Sequence, residues 1–156
     1  MKLNLIVLVI ASLISGLCHA ECRQESAVAN DFMAEYIRYN NDVLNQKTTQ
    51  TAAQWIQHNE NVTGDFKKSY QELVARAEKQ DPELGLDFDP ILNAQDYPEQ
   101  GFEIAQCEEN LVTLVGKGKE WQNFKVAVEI LNTERGWLIN GAGVINIPKN
   151  KQAKIK

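Results

Sequence analysis

The residues with the clearest chemical potential are carboxylates crowded into residues 81–98, a segment called the acidic loop below. They are Asp81, Glu83, Asp87, Asp89 and Asp96. No lysine or arginine lies between Lys79 and Lys117, so no base close in sequence neutralises them. Carboxylates grouped in this way can attract a cationic partner, ligate a hard metal ion or act as general acids and bases.

Calcium binding is the metal chemistry that this group could support. The oxygen ligands would come from Asp87, Asp89, Asn93 and Asp96. Their spacing does not match an EF-hand, because the glycine and the terminal glutamate of that loop are missing at the required positions. Turn formation is the alternative role. Asp81 and Asp89 each precede a proline and can form an Asx-turn, and Asp96 can accept from backbone N–H groups. We therefore expect neither a metal nor a cofactor.

Nucleophilic catalysis has few residues to work with. After residue 20 the chain has one histidine, His58, and two serines, Ser26 and Ser69. Neither serine lies in a G-x-S-x-G elbow, and a single histidine cannot form a histidine-rich metal site. At the end of an amphipathic segment, His58 is typical of a solvent-exposed or capping residue. An enzyme that uses Asp96 or His58 is thus the least favoured hypothesis.

The charge of the chain favours a cationic partner. Residues 21–148 contain 11 lysines and arginines against 21 aspartates and glutamates, a net charge of −10. This body would repel a phosphate backbone, so nucleic acid is excluded as a partner class. A cationic protein would be attracted to it. The candidate contact residues are Glu83, Asp87, Asp89, Asp96 and Tyr97. The alternative is an acidic surface that keeps the protein in solution without a partner.

Residues 1–20 have the features of a secretory signal peptide. A lysine precedes an apolar run, and Cys18 and Ala20 are small residues at the two positions that signal peptidase recognises. The run is short for a membrane span. We expect cleavage after Ala20, a periplasmic or secreted protein, and no stable membrane anchor.

The rest of the chain changes from helical to strand periodicity near Gly101. Apolar residues recur at steps of three and four in three segments, which predicts helices at residues 27–46, 49–58 and 63–81. Alternating or β-branched segments predict strands at residues 102–107, 111–115, 124–130 and 137–147. Helices followed by an antiparallel meander indicate an α+β fold, with N-terminal helices packed on a curved antiparallel sheet.

One domain is expected over residues 21–148, followed by a basic flexible tail at residues 149–156. The domain contains two cysteines, Cys22 and Cys107. In an oxidising compartment they are expected to form a disulfide that closes a long loop. A redox pair would favour a C-x-x-C spacing, which is absent.

Three segments carry a resemblance to a known family: LDFDPILNAQDYP at residues 86–98, FKVAV at residues 124–128 and GWLINGA at residues 136–142. They resemble a family of small exported bacterial proteins of unknown function, in which a Trp-Leu/Lys-Ile-Asp-type strand follows an Asp-rich loop ending in Gln-Asp-Tyr/Trp-Pro. The resemblance covers residues 27–147 and implies an NTF2-like, or cystatin-like, cone of helices wrapped by a curved sheet. Many members resemble lipoproteins, but no lipobox precedes either cysteine at the start of this chain.

The resemblance also implies a pocket, because NTF2-like cones often enclose an apolar cavity and some relatives are isomerases or dehydratases. The residues that could line it are Tyr36, Tyr39, Trp55 and Trp137. Aromatic residues at this spacing are also typical of a plain core. We expect a non-enzymatic binding protein that engages a protein partner, as an immunity or inhibitor protein would. The alternatives are a small-molecule or lipid-binding module and an isomerase- or dehydratase-like enzyme.

Overall fold

The computed structural model describes residues 15–153, with side chains from Cys22 onward. Three helices precede four strands. The helices are α1 (Ser15–Leu44), α2 (Ala52–His58) and α3 (Gly64–Gln80). The strands are β1 (Phe102–Glu108), β2 (Leu111–Gly116), β3 (Lys125–Thr133) and β4 (Gly136–Ala142), and a 3-10 turn (Lys119–Trp121) joins β2 to β3. Most of the predicted signal peptide and the end of the predicted tail lie outside the described residues.

The four strands form one antiparallel sheet in the order β1-β2-β3-β4, so each strand pairs with its neighbour in sequence. Helix α1 contacts all four strands and therefore lies across one face of the sheet. Its apolar side, including Phe32, Met33 and Ile37, is buried against alternate residues of the strands, such as Val112 and Val128. Burial of each such side chain stabilises the fold by about 1.5–3 kcal/mol. The predicted α+β class, with helices packed on an antiparallel sheet, is confirmed.

The helix ends follow from local sequence. Thr51 caps α2 in a capping box, in which its hydroxyl accepts from the Gln54 N–H and the Gln54 side chain accepts from the Thr51 N–H. The Thr63 hydroxyl accepts from the Phe66 N–H at 3.0 Å and begins α3. The same hydroxyl donates to the Asn140 side chain at 3.0 Å, which attaches the start of α3 to β4. No helix among residues 15–153 is long and apolar enough to cross a bilayer.

The last strand is shorter than predicted, because β4 ends at Ala142 rather than near residue 147. Gly143 has a φ of +60° and turns the chain back, and the Ile145 N–H donates to the Ala142 carbonyl at 2.9 Å. A side chain at Gly143 would collide with the carbonyl oxygens of Pro90 and Ile91. The turn therefore brings the end of the sheet directly against the acidic loop.

A disulfide joins Cys22 in α1 to Cys107 in β1, as predicted. The two residues are 85 positions apart in sequence. Closing such a loop in the unfolded chain corresponds to about 4–5 kcal/mol in the chain-entropy model. The bridge attaches the beginning of the described chain to the edge strand of the sheet. A disulfide of this kind is typical of an exported protein.

Candidate functional site

The second half of the acidic loop, residues 89–98, is held against the core at several points. Pro90, Ile91, Leu92 and Pro98 are buried. The backbones of Asp89 and Ala94 form an isolated bridge, with N–H···O distances of 2.8 and 3.3 Å. The Val144 N–H also donates to the Pro90 carbonyl at 2.9 Å, which connects the loop to the turn after β4. The loop is therefore a structured part of the domain.

Asp89 is the carboxylate that organises this loop. Its Oδ1 accepts from the backbone N–H groups of Ile91 at 2.9 Å and Leu92 at 3.1 Å. Its Oδ2 accepts from the Tyr36 hydroxyl at 2.7 Å. Burial raises the pKa of Asp89, although these three hydrogen bonds and the nearby Asn40 side chain act in the opposite direction. Of its two predicted roles, turn former and partner contact, the geometry matches the turn.

Three of the four predicted pocket residues come together in an aromatic cluster. Trp55 lies 5.2 Å from Tyr36 and 5.6 Å from Tyr39, measured between ring centroids, and Phe32 packs against both Tyr36 and Trp55. These rings fill the space between one another. Trp137 lies elsewhere, on β4, where its Nε1 donates to the Gln24 side chain at 3.2 Å. The tertiary structure thus divides the predicted set between the core and a separate position on the sheet.

A cleft of about 350 Å³ lies between the helices and the acidic loop. Its polar lining comes from Tyr36 and Asn40 on α1, Tyr70 and Glu78 on α3, and Asp89 on the loop. Its apolar lining comprises Ala52, Val74, Leu84, Leu86, Phe88 and Pro90, together with Gly85. The cleft is therefore amphipathic, lined by acidic, phenolic and apolar side chains.

Tyr70 is the unusual member of this cleft. The residue is only 5% exposed, yet its hydroxyl makes no hydrogen bond within residues 15–153. Burial, then the charge of Asp89, raises the pKa of Tyr70 to about 12, so the phenol is neutral near pH 7. No fully buried side-chain N or O atom of the described residues lacks a hydrogen-bond partner, so the Tyr70 hydroxyl is not sealed off and can be reached from the cleft.

Sequence analysis missed Asn40, Tyr70 and Glu78 as site residues. Tyr70 recurs at helical spacing with the apolar residues of α3, and this pattern predicts a helix but gives no sign of a site. The usable signal was the i, i+4 pair of Tyr36 and Asn40, two polar groups on the otherwise apolar side of α1. That pair indicates which face of α1 contacts polar groups. It does not indicate which carboxylate lies against that face.

The other predicted partner contacts lie on the surface. Glu83, Asp87 and Asp96 are exposed, and their side chains make no hydrogen bond or ion pair within the described part of the chain. Within the described residues, Asp96 therefore does not accept hydrogen bonds from backbone N–H groups, the turn role predicted for it. Tyr97 is half-buried, and its hydroxyl donates to the Asn41 side chain at 3.1 Å. Burial, then the charge of Glu99, raises the pKa of Tyr97.

The residues considered for catalysis and metal binding are not assembled into a site. His58 and Asp96 are both exposed, and neither has a side-chain partner among residues 15–153. Asp87, Asp89 and Asp96 do not form a group within 4.8 Å in the described chain. Cys22, Glu25 and Cys107 do lie within that distance, but both sulfurs belong to the disulfide.

Comparison with known proteins leaves the family open. No family model matches the chain, and no curated protein matches it significantly. Among solved structures, the chain is similar to a protein of unknown function from Bacteroides thetaiotaomicron VPI-5482, with 15% sequence identity and a TM-score of 0.47. The similarity covers 83% of this chain and 95% of that chain. A similarity at this level carries no argument about fold family or function.

Proposed function

We propose that the chain is an exported, non-enzymatic binding protein that engages a cationic protein partner through the acidic loop, as an immunity or inhibitor protein would. Within this proposal, residues 1–20 are a signal peptide, the protein acts in the periplasm or outside the cell, and the fold belongs with the NTF2-like cones. The observation that carries the proposal is a set of exposed, unpaired carboxylates on a loop pinned to the core.

The geometry of the loop supports recognition because its charges are presented on a fixed backbone. Asp89 and the buried residues beside it hold the loop in one conformation, so binding would order few additional groups. Among the described side chains of residues 22–153, the structure shows ion pairs between Asp42 and Lys47 and between Lys68 and Glu72, both outside the loop. The charges of Glu83, Asp87 and Asp96 are therefore not compensated by ion pairs and can steer a cationic surface towards the loop.

The test compares two triple charge reversals in the full chain. The first carries Glu83→Lys, Asp87→Lys and Asp96→Lys on the loop. The matched control carries Glu60→Lys, Glu109→Lys and Glu134→Lys, three exposed carboxylates outside the loop. Asp89 is left unchanged, because reversing its charge would disrupt the loop itself. Both variants change the net charge equally, so a difference between them reports the position of the charge.

Each protein is used to capture partners from a periplasmic extract at about 0.05 M and 0.5 M NaCl, a range over which screening becomes strong. We expect the wild type to retain a basic protein at low salt, the loop variant to lose it, and the control to keep most of it. Loss of capture in both variants to the same extent, or in neither, would contradict the assignment of the loop as the binding surface.

A further inference from the structure

We propose that the cleft between the helices and the acidic loop is a binding site for an organic cation, an ammonium or guanidinium group carried on an alkyl stem. The proposal goes beyond partner recognition by the loop surface, because the cleft is lined by residues other than the exposed loop carboxylates. It rests on three features of the cleft: an accessible hydroxyl of a buried tyrosine that bonds to no protein group, a charge without an ion-pair partner, and an apolar wall.

The unpartnered hydroxyl is that of Tyr70. Tyr70 is 95% buried as a residue and lines the cleft. Its hydroxyl forms no hydrogen bond within residues 15–153. Tyr36 and Tyr39 differ in this respect, since their hydroxyls donate to Asp89 and to the Gln50 carbonyl. A phenol oxygen can accept a hydrogen bond as well as donate one. The Tyr70 oxygen is thus an acceptor that the fold itself does not use.

The charge of the cleft selects a cation over a neutral or anionic group. Asp89 and Glu78 line it, and no lysine, arginine or histidine does so in the described chain. Three donors already occupy the two carboxylate oxygens of Asp89, so Asp89 acts on a ligand as a fixed negative charge. Glu78 is exposed at the edge of the cleft and can accept directly. Asp89 is half-buried and has no cationic partner in the described chain, so its field in the cleft favours a positive ligand.

The walls suit an alkyl stem. Val74, Leu86 and Phe88 are half-buried along the cleft, and Leu84 is 63% exposed. An alkyl chain of a few carbons would cover part of this apolar surface, and its charged end would lie near Tyr70. The volume of about 350 Å³ is sufficient for a group of this size. A lysine or arginine side chain of a protein and a free alkylamine share this chemistry.

The test is an amide-resolved NMR titration of the full chain with n-butylammonium chloride at constant ionic strength. n-Butanol serves as the neutral probe with the same stem. We expect n-butylammonium to shift amides of α3 and of the loop around Asp89, and n-butanol to bind at least fivefold more weakly. Equal responses to the two probes would overturn the assignment of a cation site.

Two variants test the named groups. Tyr70→Phe should weaken n-butylammonium binding about tenfold, as expected for the loss of a hydrogen bond to a charged group. Glu78→Gln should weaken it about two- to fivefold, since Glu78 is solvent-exposed. Glu83→Gln is the matched control, because Glu83 is an exposed carboxylate that does not line the cleft. Binding that is insensitive to Tyr70→Phe, or equally sensitive to Glu83→Gln, would overturn the proposal.

A third probe, an acetylated and amidated Gly-Lys-Gly peptide, distinguishes a protein side chain from a free alkylamine as the source of the cation. Tyr70-dependent binding of the peptide would identify a protein side chain as an acceptable source, and binding of the free amine alone would identify a small molecule. Either outcome supports the cation site. These probes require no partner protein. The cleft proposal can therefore fail without affecting the capture experiment, which tests the loop surface separately.

Discussion

Removal of the Tyr36 hydroxyl is the most direct test of how the acidic loop is held. The substitution Tyr36→Phe keeps the ring, its tilted contact with Trp55 and its burial, and removes only the hydrogen bond to Asp89 Oδ2 at 2.7 Å. Hydrogen bonds to charged groups contribute about 1.5–3 kcal/mol, against about 0.5–1.5 kcal/mol for neutral pairs. We expect the free energy of unfolding to fall by about 1.5–3 kcal/mol, since Asp89 keeps its charge but loses one donor.

The matched control is Tyr39→Phe, which removes a neutral hydrogen bond to the Gln50 carbonyl at 3.0 Å from the same aromatic cluster. Its expected cost is about 0.5–1.5 kcal/mol. Unfolding in urea at pH 7, followed by tryptophan fluorescence, measures both variants. A double-mutant cycle of Tyr36→Phe with Asp89→Asn should give a coupling of at least about 1 kcal/mol. A Tyr36 variant no less stable than the Tyr39 variant, with coupling below about 0.5 kcal/mol, would refute the role given to Asp89.

The pH dependence of the same variants provides an independent check. The pKa of Asp89 is raised in the folded state, so the native protein holds this proton more tightly than the unfolded chain does. The resulting stability is fully present below the unfolded pKa of about 3.9 and is lost as pH rises through the folded pKa. Because the Tyr36 hydroxyl lowers the pKa of Asp89, Tyr36→Phe should move this loss to higher pH. An NMR titration of the Asp89 carboxyl carbon measures the shift, and an unchanged pKa would contradict the prediction.

Three further predictions concern the disulfide, the turn after β4 and the buried phenol. Replacing Cys22 and Cys107 with serine should lower the free energy of unfolding by about 4–5 kcal/mol in urea, and a loss below about 1 kcal/mol would contradict the loop-closure account. Gly143→Ala should lower the thermal stability clearly more than Gly85→Ala does. The two glycines have φ values of +60° and +62°, but only a side chain at Gly143 would collide with the carbonyl oxygens of the loop. Equal losses of stability would mean that this close approach is unimportant. Since the pKa of Tyr70 is raised from 10.0 to about 12, its contribution to stability should be present below pH 10 and lost as pH rises through about 12. Tyr70→Phe should therefore make the alkaline fall in stability shallower while leaving stability at pH 7 unchanged or higher, and an unaltered alkaline profile would count against it.

Much of the fold was predictable because its signals are local. Helical spacing placed α2 and α3 within a few residues of their observed bounds, and alternation placed β1 to β3. The exceptions are the two ends of the described fold. Helix α1 begins at Ser15 instead of residue 27, and β4 ends at Ala142. In β4 the reason is a contact made by Gly143 with the acidic loop, about fifty residues earlier in the chain, which strand periodicity cannot reveal.

Less of the candidate site could be predicted. The acidic loop was identified from composition, and the Asx-turns at Asp81 and Asp89 followed from their prolines. The Asp81 Oδ1 accepts from the Glu83 and Leu84 N–H groups at 3.2 and 3.1 Å. The cleft was not identified, because Tyr70 and Asn40 become site residues only when α1 and α3 pack beside the loop.

By itself, the sequence determined the α+β class, the pairing of the two cysteines and the acidic character of the loop, because periodicity, cysteine count and charge are properties of the chain read in order. Only the tertiary structure decided which carboxylates are used inside the fold and which remain on its surface. Asp87 and Asp89 lie two residues apart, and the proline after Asp89 predicts a turn but not burial. They differ because the Tyr36 hydroxyl, 53 residues away, reaches Asp89, whereas Asp87 is exposed to solvent. Burial is a property of such distant contacts, and so the division of the acidic loop into structural and exposed charges could be read only from the folded chain.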